Sequence, residues 1–256
     1  MTGRDEYYNR SKQEGYRARS AYKLKQLDAE ASLFSDGDSV VDLGAAPGGW
    51  LQVAAEAVGP SGTVVGVDRQ RIRTLDAGNV ETVRGDMTED ATVDRLHEAV
   101  GDAGVDVVVS DMAPNMTGEY SVDHARSVHL ARQAFDVALD CLEPGGDFVV
   151  KVFDGPDLAA LRSDVEEHFE YVRSIRPDAS RDSSSELYLV AKGYLTAPVA
   201  AGDELTVEIS DEGREGDGIA RVDGFTVFVP DAAVGEEVEI RIEDVKPRFA
   251  FATRVS

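Results

Sequence analysis

The 256-residue chain carries 49 acidic against 26 basic side chains, a formal net charge of -23, and 42% hydrophobic residues, enough for one large domain plus a small one. No apolar run approaches membrane-spanning length, the start Met1-Thr2-Gly3-Arg4-Asp5 lacks the apolar core of a secretion signal, and the single Cys141 excludes an internal disulfide and a cysteine-based metal site. The composition points to a cytoplasmic, globular protein with no metal and no membrane partner.

Residues 1–25 hold seven basic and three acidic side chains, so the remainder of the chain carries -27. A polyanion would ordinarily be repelled by such a remainder. At about 1 M ionic strength the Debye length is roughly 3 Å and that repulsion is almost fully screened, as in proteins of salt-loving organisms. Residues 1–15, with Tyr7, Tyr8, Arg10 and Lys12 and little apolar periodicity, read as a flexible basic arm. From Tyr16 to Phe34 the spacing Ala21, Leu24, Leu27, Ala31 predicts a helix, and Lys23 lies on it.

An α/β alternation follows. Strands are expected at Ser39–Leu43, Thr63–Val67, Val80–Arg84, Val105–Ser110 and Asp147–Val152. Helices are expected at Trp50–Val58, Val93–Val100, Asp123–Leu142 and Asp157–Phe169. Crossover helices between strands require a parallel sheet. Two further extended runs, Tyr171–Arg176 and Ser185–Ala191, are joined only by a polar connection, Pro177 to Ser184, and form an antiparallel pair. After a linker, Leu195 to Ala201, the pattern becomes short strands: Glu204–Ile209, Gly218–Val222, Phe225–Val229, Glu237–Ile242 and Ala250–Val255. Asp223-Gly224 and Val234-Gly235 mark turns between them, and a small β-barrel results. The expected division is residues 1–194 and residues 195–256.

The first strand runs into Asp42-Leu43-Gly44-Ala45-Ala46-Pro47-Gly48-Gly49-Trp50. Its glycines permit positive φ and close approach of a ligand at the place where α/β sheets hold nucleotide-like cofactors. The Gly-x-x-Pro-Gly-Gly spacing is not the Gly-x-Gly-x-x-Gly of a dinucleotide site, and an oxidoreductase is correspondingly disfavoured. Asp68, ending the second strand, suits two ribose hydroxyls; Asp86, after the third, suits an adenine amino group; Asp111 ends the fourth. Carboxylates at the ends of strands one to four, with no phosphate-binding lysine, suit a cationic cofactor, S-adenosylmethionine.

Four segments then carry a resemblance. Arg19-Ser20-Ala21-Tyr22-Lys23-Leu24, the Asp42–Trp50 loop, Ser110-Asp111-Met112-Ala113-Pro114-Asn115 and Lys151-Val152-Phe153 resemble the RlmE (FtsJ, RrmJ) family of ribosomal RNA uridine 2′-O-methyltransferases over residues 5–193. The resemblance implies a class I methyltransferase fold, Rossmann-like, with a mostly parallel seven-stranded sheet. It implies a catalytic set of Lys23, Asp111, Lys151 and Glu186, and cofactor contacts at Gly48, Trp50, Asp68, Asp86 and Asp111. It also implies 23S rRNA or the large ribosomal subunit as partner of a monomeric enzyme. Methyl transfer to a ribose hydroxyl needs a base, and a neutral lysine beside a second ammonium can be one. Lys151 is the expected base, Lys23 and Asp111 orient and tune it, and Glu186 positions Lys23 or the ribose.

Residues 195–256 resemble a TRAM domain, an OB-like barrel, through Asp217–Phe225, Val227-Phe228-Val229-Pro230 and Lys246–Ala252. Arg221, Phe225, Lys246, Arg248, Phe249 and Phe251 are its candidate RNA contacts, half of the alternating aromatics being expected to face inward. Methylation of tRNA or mRNA ribose, or a non-catalytic role in ribosome assembly, are the alternative readings.

Overall fold

The computed structural model describes residues 3–101, 104–180, 184–213 and 216–255. The Arg4 side chain and residues 181–183 of the polar connection lie outside that description. The basic arm is helical: α1 spans Gly3–Gln13 and packs on α2, Ala21–Ala31. Helicity without apolar periodicity comes from a few contacts. Tyr7 lies against the core and accepts a hydrogen bond from Gln26 Nε2 at 3.1 Å, and the Arg10 guanidinium sits 5.0 Å over the Tyr22 ring. Two cations just after the arm brace the fold. Arg17 donates to Pro47 O and Thr74 O at 3.3 and 2.6 Å, and Arg19 to Ala179 O at 2.9 Å.

The β-branched runs form β1 (Ser39–Leu43), β2 (Thr63–Asp68), β3 (Val80–Arg84) and β4 (Val105–Ser110), each ending within a residue of expectation. β5 (Leu142–Phe153) begins five residues before Asp147, because Leu142 already pairs with Val105 ahead of a register shift. The helices between are α3 (Gly49–Val58), α4 (Asp90–Val100), α5 (Tyr120–Cys141) and α6 (Leu158–Glu166), followed by β6 (Phe169–Ile175) and β7 (Glu186–Tyr194). One sheet takes seven strands in the order β3-β2-β1-β4-β5-β7-β6. β7 is antiparallel to both neighbours, with Phe153 opposite Glu186. Its first residue therefore lies at the edge where the parallel strands end.

Two apolar layers sandwich the sheet. Leu24, Leu27, Trp50, Leu51 and Ala54 of α2 and α3 cover one face; Leu96, Ala134, Phe135, Ala138 and Leu161 of α4, α5 and α6 cover the other. Cys141 is buried in the second layer.

β8 (Glu204–Glu212), β9 (Gly218–Val222), β10 (Phe225–Val229), β11 (Glu237–Val245) and β12 (Phe249–Arg254) close into a barrel ordered β10-β12-β11-β8-β9. The two-residue turn Asp223-Gly224 has φ of 48° and 85°, the positive pair that suits the twist of a tight hairpin. Alternation puts Val207, Ile209, Val227, Ile240 and Ala250 inside. Outside, the barrel is two-faced. β8 and β11 show Glu204, Glu208, Glu237, Glu239 and Glu243, whereas β9, β10 and β12 show Arg221, Thr226, Phe228, Phe249 and Phe251.

Candidate active site

The site occupies the edge where β1, β2, β4 and β5 end and β7 begins. Lys23 enters from α2, Asp111 follows β4, Lys151 lies on β5 and Glu186 opens β7. Lys151 Nζ donates to Asp111 Oδ1 at 2.9 Å and to Asp111 O at 2.5 Å. Lys23 Nζ lies 2.6 Å from Glu186 Oε1 and 4.0 Å from Asp111 Oδ1. The four side chains expected from the sequence thus form one alternating network, buried except for an edge of each. Burial alone would raise the Asp111 carboxyl, but the ammoniums of Lys151 and Lys23 and the Tyr188 hydroxyl hold it below its ordinary range. Glu186 is likewise pushed up by burial and brought below its ordinary range by Lys23.

Tyr188 was not singled out by its residue type alone. Its hydroxyl donates to Asp111 Oδ1 at 2.6 Å, and its ring lies 5.8 Å from that of Trp50. The signal was the strand period: Glu186 and Tyr188 stand two apart in β7 and share a face.

Beside the network opens a cleft of about 750 Å³ lined by Gly44, Ala46, Asp68, Asp86, Asp111 and Met112, among others. Gly44 has φ of 81°, and a Cβ there would come 2.4 Å from Met112 Cγ, so only glycine keeps this wall open. Asp68 accepts from the Ala46 and Gln70 amides at 2.9 and 2.7 Å, one bond to each oxygen. Each oxygen keeps a lone pair for a ligand hydroxyl. Asp86 is lowered by the Thr88 amide and hydroxyl, and Arg69 pairs with it at 3.3 Å. Gly48 and Trp50 do not line the cleft. Gly48 starts α3 with φ of 106° under Arg17, and Trp50 is buried, its Nε1 donating to Ser20 O at 2.8 Å. They shape the loop and the floor beneath it.

Asp42, counted from the sequence as the strand-one member of the carboxylate set suited to a cationic cofactor, does not line the cleft. It is 1% exposed, and neither carboxylate oxygen has a hydrogen-bond partner among the described residues. Burial, then the nearby Asp111 and Asp68 charges, push its carboxyl well above the ordinary range. The unfolded chain releases this proton near pH 4 and the folded chain keeps it. Above pH 4, Asp42 therefore subtracts progressively more stability until its folded pKa is reached. Asp42→Asn is expected to gain melting temperature relative to the wild type as pH rises from 4 to 8; a constant difference across that range would disprove the assignment.

Of the barrel candidates, two serve another purpose. Lys246 pairs with Glu170 at 3.2 Å, and Arg248 pairs with Glu143 at 3.4 Å while donating to Pro144 O at 3.2 Å. These contacts seat the barrel on the sheet. Phe225 packs against the barrel core, whereas Phe249 and Phe251 form an outer aromatic cluster with Phe228 at centroid distances of 5.3 to 5.8 Å.

A glycine-walled cleft ringed by carboxylates, whose one arginine is already paired, favours a nucleoside bearing positive charge over a pyrophosphate. On a sheet of this strand order that defines a class I methyltransferase dependent on S-adenosylmethionine, and Gly44, Asp68 and Asp86 fit that cofactor. The FtsJ-like methyltransferase family model matches residues 16–194 and the TRAM domain model residues 198–255. The chain belongs to the FtsJ-like methyltransferase family and carries a C-terminal TRAM domain. It is 70% identical over 255 residues to "Ribosomal RNA large subunit methyltransferase E" of Halorubrum lacusprofundi, covering 100% of this chain and 95% of the relative. The protein of the same name from Haloquadratum walsbyi is 67% identical over 252 residues, 98% of each chain. A crystal structure of a ribosomal RNA methyltransferase from Plasmodium falciparum is similar with a TM-score of 0.63 and 26% identity, over 70% of this chain and 98% of that one. No helix among the described residues is long and apolar enough to cross a membrane.

Proposed function

We propose that this protein transfers the methyl group of S-adenosylmethionine to the 2′-hydroxyl of a uridine ribose in 23S rRNA of the large ribosomal subunit, acting as a cytoplasmic monomer. The observation that carries the reading is the Lys23–Glu186 and Asp111–Lys151 network beside the carboxylate-lined cleft. When bound, the cofactor supplies an electrophilic methyl group on a sulfonium, and in-line transfer to an oxygen leaves the chain to position and deprotonate the hydroxyl.

Lys151 is the base. A neutral amine has two N–H bonds and one lone pair. Once the Lys151 ammonium has given up a proton, as a base must, its two remaining hydrogens can serve Asp111 O and Oδ1, which leaves the lone pair for the ribose hydroxyl. The hydroxyl proton passes to Nζ as the oxygen gains the methyl carbon and the carbon–sulfur bond breaks to leave a neutral thioether, and the resulting ammonium remains paired with Asp111. Tyr188 and Lys23 fix the Asp111 carboxylate, and Glu186 fixes Lys23. Asp68, Asp86 and Asp111 hold the nucleoside, with Gly48 and Trp50 setting the loop and floor. The division of labour falls at residues 194 and 195. The aromatic face of the barrel around Phe228, Phe249, Phe251 and Arg221 supports a second contact with RNA, since bases stack on such rings.

The test is transfer of label from S-adenosylmethionine, in molar potassium chloride, to bare rRNA, to large subunits lacking the modification, and to tRNA. Label in rRNA recovered as an alkali-resistant dinucleotide is the expected result. Label in tRNA alone would overturn the substrate, and label lost as an ordinary nucleotide would overturn the ribose as acceptor.

A further inference from the structure

Tyr120, the first residue of α5, is 58% exposed yet rigidly held. Its hydroxyl donates to Asp154 O at 2.5 Å, and one face of its ring stacks on His124 at a centroid distance of 6.3 Å and an interplanar angle of 13°. His124 is itself fixed. It is 2% exposed, its Nδ1 donates to Phe153 O at 3.0 Å, and its Nε2 accepts from the Asp157 amide at 3.1 Å. A tyrosine whose only purpose was packing would bury its ring; this one presents a free π-face to solvent.

Its position ties it to the reacting groups. Asp154, which receives the hydroxyl, follows β5 three residues after Lys151, about 10 Å along an extended strand. The Asp154 amide donates to Ser185 O at 2.8 Å, and its carboxylate pairs with Arg176 at 2.7 Å. Arg176 donates in turn to Glu186 O at 3.3 Å, and Glu186 holds Lys23. The loop from Asp111 to Tyr120 is pinned as well: Asp123 accepts from Thr117 N and Gly118 N at 2.8 and 3.0 Å. Tyr120 is absent from the lining of the cofactor cleft. It stands on the rim of the catalytic network, outside the space of the nucleoside.

We infer that Tyr120 is a stacking platform for a nucleobase of the RNA next to the acceptor ribose. This rests on the proposed ribose methylation and adds the residue that holds the strand in register. A nucleotide that must present its 2′-hydroxyl to Lys151 has its base drawn away from its neighbours, and an exposed ring of fixed orientation replaces the lost stacking at small entropic cost. Such contacts are sequence-tolerant, because every base has a π-face.

The test uses the full-length protein with the RNA acceptor. Tyr120→Phe keeps the ring and is expected to stay within about threefold of wild type. Tyr120→Leu covers His124 without a π-face and is expected to raise KM for RNA about tenfold to a hundredfold, with kcat and cofactor affinity little changed. RNA carrying 5-bromouridine beside the acceptor is expected to cross-link to the peptide containing Tyr120 on irradiation. A Leu variant with wild-type KM, or a cross-link mapped to another surface, overturns the inference and leaves ribose methylation standing. A wild-type enzyme that methylates no RNA overturns both, and it shows before any variant is made.

Discussion

Replacing Lys151 by alanine is expected to lower kcat for RNA methylation by about a hundredfold to ten-thousandfold, the usual worth of a positioned base. Cofactor affinity should stay within a few-fold, because Lys151 is not among the residues lining the cleft. Single-turnover transfer at saturating cofactor, together with calorimetric binding, separates the two quantities. Lys151→Arg sharpens the result. Arginine keeps a cation beside Asp111 but cannot give up a proton at working pH, so it should be nearly as inactive as alanine. An arginine variant with wild-type turnover would mean that Lys151 acts by charge alone, and an active alanine variant would remove it from the chemistry.

Asp111→Ala is expected to destabilise the fold by about 3 to 5 kcal/mol and to abolish turnover. One carboxylate here answers Lys151 at 2.9 Å, Lys23 at 4.0 Å and the Tyr188 hydroxyl at 2.6 Å, and its removal strands a buried ammonium. Denaturant titration at neutral pH measures the loss. The double variant Asp111→Ala with Lys151→Ala should recover part of it, since the uncompensated charge leaves with the lysine. The sign with pH is fixed by the depressed carboxyl: its contribution is full above about pH 4 and disappears as pH falls through the folded pKa. A loss below about 1 kcal/mol, or a double variant no better than the single, would show that the network adds nothing net to stability.

The strands were legible because Val-rich runs such as Val105–Ser110 form buried parallel strands and little else, and β1 to β4 end where the pattern places them. The barrel was legible through alternation and the Asp223-Gly224 turn. Helix α1 was not, because its stability comes from Tyr7 and Arg10 reaching α2 and not from any apolar stripe of its own. Lys23 and Glu186 are 163 positions apart, and no local pattern pairs them; only the motif resemblance put them in one set, and the 2.6 Å contact agrees with it. Asp42 counted among the carboxylates facing a cationic cofactor, whereas its carboxyl is buried with no hydrogen-bond partner among the described residues. Lys246 and Arg248 read as candidate RNA contacts. Their partners Glu170 and Glu143 lie in the methyltransferase domain, and composition says nothing about proximity across the two domains.

The place of β7 also bears on how the protein is made. A ribosome delivers the chain from its N-terminus, and a nascent chain complete through Phe153 already contains both parts of the Lys151–Asp111 pair and every aspartate of the cleft. It lacks Glu186, the nearer of the two carboxylates that face Lys23. β6 emerges next but cannot join the sheet, since the strand separating it from β5 is the one synthesised after it. Only when β7 slides between them does Glu186 arrive, so the catalytic edge and the final strand pairing of the domain are completed in a single folding event.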